Sequence, residues 1–230
     1  VFLVHEPITP QVAKTLNRTT EADIYKIVIA DLSAAAANLS AAKFASIPAA
    51  NIGRASSWAA KGMLAKVYLT LNRKSDAIPL LQDVIANSGY SLQPVYANVF
   101  SITNEMNSEI LFAVRYKAGG LGLGSHFGNT FAPLGSGSAV INGDGDGLNY
   151  PSADLDTTTN GDTRKATLIA VFGTGSSSRL YVRKYLFPVV LVDDGESDWP
   201  ILRYADILLM LAEAQGFTTE SVNLLNAIRP

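Results

Sequence analysis

Histidine is the scarcest chemistry-bearing residue of the chain. Only His5 and His126 occur, far apart, and neither is followed four residues later by histidine or a carboxylate. That spacing offers no helical zinc pair. Cysteine is absent, which removes disulfides, Cys-ligated zinc, iron–sulfur clusters and thiol nucleophiles together. No Gly-x-Ser-x-Gly nucleophile elbow is present. The 20 acidic residues supply carboxylate pairs in plenty, but nothing in their spacing singles out two that would flank a scissile bond. Gly119-Gly120-Leu121-Gly122-Leu123-Gly124 has the texture of a dinucleotide loop. Phe127 stands where its third glycine belongs, and no helix is expected after it. Asp144-Gly145-Asp146-Gly147 resembles the start of a calcium loop. Its sixth and twelfth positions hold Asn149 and Leu155 instead of Gly and Glu. A flexible acidic turn is the favoured reading, and a calcium ion near Asp144 and Asp146 stays open. No catalytic, metal or cofactor site is therefore expected.

Composition bounds the partners. Lys plus Arg total 18 and Asp plus Glu 20, a net charge of −2. That is no footprint for nucleic acid. Hydrophobic residues make up 48% and charged ones 17%, the balance of a folded chain. No apolar run has the length of a membrane span. The longest, at Ile207–Leu211, is flanked by Arg203, Asp206 and Glu213. Val1-Phe2-Leu3-Val4 is too short for a signal peptide. The chain starts without Met and stops at Arg229-Pro230, which suggests a mature or incomplete chain.

The elements that must position any site begin at Thr20. Thr20-x-x-Asp23 reads as a capping box, and Ile24, Val28, Leu32, Ala35 and Leu39 follow at helical spacing. A second helix is capped by Ser56 or Ser57 and carries Ala60, Met63, Leu64, Val67, Tyr68 and Leu71. A third starts near Ser75-Asp76, with Pro79 placed in its first turn and Gly89 as its stop. Leu64-Ala65-x2-Tyr68, then Ala77-x3-Leu81, matches the core of a tetratricopeptide helix pair. Small residues at Ala65 and Ala77 let the helices touch, and Tyr68 and Leu81 fill the groove. Ile110–Tyr116 reads as a strand and Leu180–Tyr185 as another. Residues 117–180 read as a long insertion with little regular structure. Helix is expected to return at Asp198-Trp199-Pro200, with Pro200 at its first position. A last helix begins near Thr218-Thr219-Glu220.

Eight segments in order resemble the SusD/RagB family of outer-membrane nutrient-binding lipoproteins. They are Gly53-Arg54-Ala55-Ser56, Ala60-x3-Leu64-Ala65-Lys66-Val67-Tyr68-Leu69, Val84-Ile85-x2-Ser88-Gly89-Tyr90-x-Leu92 and Tyr96-x3-Phe100. They continue with Asn107-Ser108-Glu109-Ile110-Leu111-Phe112, Asp162-x-Arg164, Arg183-Lys184-Tyr185, and the run from Asp198-Trp199-Pro200 to Leu209. The resemblance implies a mainly α fold: a tetratricopeptide-like helical-pair scaffold with a long irregular insertion containing a few short strands. One SusD-like domain over 1–230 is expected, with helical pairs at 20–90, the loop-rich insertion at 91–197 and a returning helical pair at 198–230. The resemblance also implies non-catalytic binding of oligosaccharide or polysaccharide at the cell surface. The partner it implies is a SusC-type TonB-dependent outer-membrane transporter, and membrane attachment would be through an N-terminal lipid anchor absent from this chain. Capture of peptides, or a mainly structural role as a lid, is the alternative. The family's N-terminal region and its C-terminal part beyond Arg229 are missing from this sequence.

A sugar site wants an exposed ring for C–H faces and amides or carboxylates for hydroxyls. The insertion supplies His126, Phe127, Asn129, Phe131, Asn149 and Tyr150 as candidate ligand contacts, with Asn142 and Asp144 nearby. The rings of Phe127, Phe131 and Tyr150 either stack on ligand or pin the loop to the scaffold. Asp162, Arg164, Arg203, Asp206 and Glu213 are read as paired scaffold ions, and Trp58 and Trp199 as packing residues.

Overall fold

The computed structural model describes residues 2–4 and 6–229. His5 lies outside the described residues. In chain order the elements are α1 (Pro10–Ala13), α2 (Glu21–Asn38), α3 (Ser57–Thr70), α4 (Lys74–Asn87), β1 (Ile110–Val114), α5 (Phe127–Phe131), α6 (Ala153–Thr158), α7 (Lys165–Leu168), β2 (Ile169–Phe172), β3 (Arg179–Val182), β4 (Trp199–Arg203), α8 (Tyr204–Gln215) and α9 (Thr219–Ile228). The chain is mainly helical, and among the described residues the short strands form two antiparallel pairs, β1–β4 and β2–β3. Two compact units form. One takes the residues up to Pro48, Arg54–Tyr90, and from Ala205 onward; the other takes Ala49–Gly53 and Ser91–Tyr204.

In the helical unit, Thr20 caps α2 by accepting the Asp23 N–H at 3.2 Å and donating its hydroxyl to the Asp23 carboxylate at 2.6 Å. Ser56 caps α3 through the Ala59 N–H, and Thr218 caps α9 through the Ser221 N–H. Each satisfies an amide that the first helical turn leaves orphaned. α3 packs against both α2 and α4. Leu64, Ala65, Ala77, Leu81 and Val84 are buried there, so small residues at the contact let the helices approach. Tyr68 differs from expectation: it is only half-buried, and the Arg73 guanidinium covers its ring at 4.5 Å. Pro79 also differs. α4 starts at Lys74, so the proline falls in the second turn, where its missing N–H withholds a bond on an exposed face. Gly89 ends the helix at φ +75°, the left-handed stop that glycine adopts without a Cβ penalty.

The loop-rich unit is built around β1 and β4. Their register pairs Phe112 with Leu202 and Val114 with Trp199, with an irregularity between Ile110 and Ala113. This corrects the expected helix start at Asp198–Pro200: Trp199–Arg203 is strand, and α8 begins only at Tyr204. A short apolar run fits either period, and the partner decides it. Here β1 offers a ladder, and Arg203 Nη1 meets the Glu109 carboxylate at 2.9 Å beside it. Residues 117–180 hold more regular structure than expected, including α5, α6, α7 and β2. The helix α5 begins at Phe127, directly after the glycine run, where none was expected. The run itself is an antiparallel turn closed by Lys117 and Leu123, so no strand–turn–helix phosphate cradle forms.

Candidate ligand site

The insertion is held in place by alternate acidic side chains. Asp194, Glu196 and Asp198 precede β4 at a spacing of two, the spacing that puts side chains on one side of an extended chain. Asp198 Oδ1 accepts the Tyr116 N–H at 2.9 Å. Glu196 Oε2 accepts that of Ala118 at 3.1 Å. Asp194 Oδ2 accepts those of Gly119 and Gly120 at 2.7 and 2.8 Å. Beyond them Ser125 and Gly195 exchange both backbone hydrogen bonds, at 2.8 and 2.9 Å. Gly124 is required by this approach, since a Cβ there would lie 2.1 Å from Asp194 Oδ1. The Gly119 and Gly120 amides hold the Asp194 carboxyl below the usual range. Lys117 first, then the Ala118 amide, do the same for Glu196. Burial pushes Asp198 the other way.

Next comes α5, whose Asn129 is 2% exposed. Its Nδ2 donates to the carbonyls of Asn142 at 2.9 Å and Asp144 at 3.0 Å. Its Oδ1 accepts the Asp193 N–H at 3.0 Å. One buried amide thus ties three stretches of loop. The Asp144 carboxylate accepts the N–H groups of Gly145 at 2.7 Å, Gly137 at 2.9 Å and Gly135 at 3.2 Å, which hold it below the usual range. Asp144 thereby organises the stretch read in sequence as an acidic turn. Among the described residues no three His, Cys, Asp or Glu side chains gather to hold a metal ion.

The candidate rings take different positions. Phe127 joins a cluster with Trp199 at 4.5 Å, Tyr116 at 5.6 Å, Phe131 at 5.8 Å and Tyr185 at 6.2 Å between ring centroids. Phe131 is buried. Tyr185 also packs on Trp199 and Phe100, and burial pushes its phenol up to about 12. Tyr150 is 42% exposed. Its hydroxyl accepts the Leu134 N–H at 3.2 Å, which fixes the ring without covering it. Asn149 beside it is exposed, at φ +65°. His126 is exposed at the start of α5, its Nδ1 3.8 Å from Asp193 Oδ1. The structure thus brings His126, Phe127, Asn129 and Phe131 onto α5 and its cap. It puts Asn149 and Tyr150 on the loop that closes on Leu134. The acidic ladder and the rings of Tyr116, Tyr185 and Trp199 were missed as a group, although the acids at 194, 196 and 198 were a readable period-two signal.

Of the scaffold ions read from the sequence, Asp162, Arg164 and Arg203 stand in ion pairs. Arg164 grips Asp162 with two nitrogens, Nε at 2.9 Å and Nη2 at 2.6 Å, and Arg203 meets Glu109. Arg203 also lies over the Phe100 ring at 5.6 Å. Trp58 is buried, and its Nε1–H donates to the Ala42 carbonyl.

Helical pairs and a loop-rich unit with short strands define a mainly helical scaffold that carries its candidate ligand contacts on pinned loops. Comparison shows what that scaffold is similar to. Residues 173–230 match the model of the SusD family. A SusD-like protein of Bacteroides ovatus is 37% identical over 125 residues, which is 50% of this chain and 20% of that protein. A solved laminarin-binding SusD-like protein superposes with a TM-score of 0.85 at 23% identity, covering 100% of this chain and 58% of that one. Surface glycan-binding protein A from Bacteroides uniformis superposes with a TM-score of 0.82 at 20% identity, covering 100% of this chain and 53% of that one. Parts of the chain resemble SusD-like proteins in sequence and the whole of it resembles them in fold, and it spans little more than half of those solved structures.

Proposed function

We propose that this chain is part of a non-catalytic cell-surface protein that binds oligosaccharide or polysaccharide. Its cargo passes to a SusC-type TonB-dependent transporter in the outer membrane, to which the protein is kept close by a lipid tether. The observation that carries this reading is a SusD-like scaffold, shared along the whole chain with a laminarin-binding protein, whose pinned loops leave the Tyr150 ring open. A ring held at its hydroxyl and exposed on its face suits the C–H face of a sugar. The exposed Asn149 amide and His126 imidazole suit its hydroxyls. Asn129 and Phe131, buried and fully engaged, act as supports that fix those groups.

The reading is tested by affinity electrophoresis of the chain through gels containing laminarin or other polysaccharides, with a peptide mixture as comparison. Retardation by a polysaccharide, with no shortening of the polymer, is expected. Binding of peptides alone, or release of reducing ends, would overturn it.

A further inference from the structure

Glu105 and Asp198 share one guanidinium. Arg115, the residue after β1, places Nη2 2.9 Å from Glu105 Oε2 and Nε 2.5 Å from Asp198 Oδ2. The two acid side chains are only 15% and 10% exposed. Glu105 Oε1 is buried and has no hydrogen-bond partner among the described residues. It belongs to a recess lined by Val99, Phe100, Met106, Ile110, Ala113 and Pro200. Met106, next in the chain, stands at φ +47°, a conformation that side-chain-bearing residues adopt only under constraint. Gly53 lies against the Arg115 side chain, close enough that a Cβ would come 3.2 Å from Nη1. Glu196 adds a further negative charge acting on Glu105, and Lys117, a cation that also acts on Glu105, is paired with Glu196. Two largely buried carboxylates on one cation leave an uncompensated charge, and a proton is the simplest relief.

We infer that Glu105 is a pH-operated catch for the loop that follows β1. Protonated, it leaves Arg115 to Asp198, whose other oxygen holds the Tyr116 amide. Ionised, it competes for Arg115 and loosens that hold. Burial first and the Asp198 charge second push the Glu105 carboxyl up to about 7 from its ordinary 4.5. An acid raised in the folded state stabilises the fold when protonated. The contribution is fully present below the ordinary carboxylate value and is lost as pH rises toward neutrality. The inference goes beyond ligand binding and is tested without ligand.

The test follows the Glu105 carboxyl carbon by NMR, the melting temperature, and Tyr116 amide exchange corrected for intrinsic rate, between about pH 5 and 8, in the whole chain and in E105Q. Glu105 is expected to titrate near neutrality. The melting temperature should fall by roughly 3–6 °C across that window, and Tyr116 exchange should quicken. E105Q should abolish both trends. A Glu105 midpoint at its ordinary value, or the same trends in E105Q, would overturn the inference.

Discussion

The side-chain oxygen of Asn129 accepts the backbone N–H of Asp193 at 3.0 Å, across 64 positions of sequence. The same amide donates to Asn142 and Asp144. Removing it in Asn129→Ala strands three backbone groups at a place 2% exposed. A buried group left unpaired costs about 1–3 kcal/mol, and relaxation of the loop recovers part of the sum. We expect a loss of roughly 2–4 kcal/mol in urea unfolding. A loss below about 0.5 kcal/mol, the range of an ordinary surface substitution, would show that the amide does not hold the loop.

Phe127 packs on Trp199 at 4.5 Å with the rings 36° apart. Phe127→Ala opens a space beside Trp199 and should cost about 3 kcal/mol. In a Trp58→Phe background the emission of Trp199 should also shift to the red, because water gains access to the indole. Unchanged emission would place Trp199 outside the cluster.

Asp194 and Glu196 carry lowered carboxyl values, through glycine amides for the first and through Lys117 for the second. The sign follows from linkage. A depressed acid stabilises the fold above its ordinary value, and that stabilisation is lost as pH falls through the folded-state value. Acid below the usual carboxylate range should therefore free the Gly119 and Gly120 amides, which intrinsic-rate-corrected hydrogen exchange will report. Asp194→Asn should show the faster exchange already at neutral pH.

Among Phe127, Phe131 and Tyr150, the Tyr150 ring is the most exposed. Tyr150→Ala should lower oligosaccharide affinity about tenfold, the worth of one stacking contact of ~1.4 kcal/mol. Tyr150→Phe keeps the ring and loses only the hydroxyl that receives the Leu134 amide, so its affinity should stay within about threefold. Equal losses in the two variants would make the hydroxyl, and not the ring face, the important group.

Helix starts were legible because caps are local. Thr20, Ser56 and Thr218 each needed only the amide three residues on. The family resemblance was legible for the same reason, as short runs kept in order. The Trp199–Arg203 strand was not, since its apolar spacing suits a helix until β1 is known to lie beside it. Within the site, ring type and loop position pointed to Phe127 and Tyr150 alike, but exposure separates them, and exposure depends on Tyr116, Tyr185 and Trp199, distant in sequence. Asn129 looked like a ligand amide and is a buried staple, because its partners at 142, 144 and 193 converge only in the fold.

Calorimetric titration with laminarin-derived oligosaccharides, with sugar recovered and sized afterwards, tests the central claim most directly. The account predicts saturable heat, weakened by Tyr150→Ala, and carbohydrate returned at its original length. Absence of heat with laminarin and every other glycan tried, or recovery of shortened chains, would contradict it.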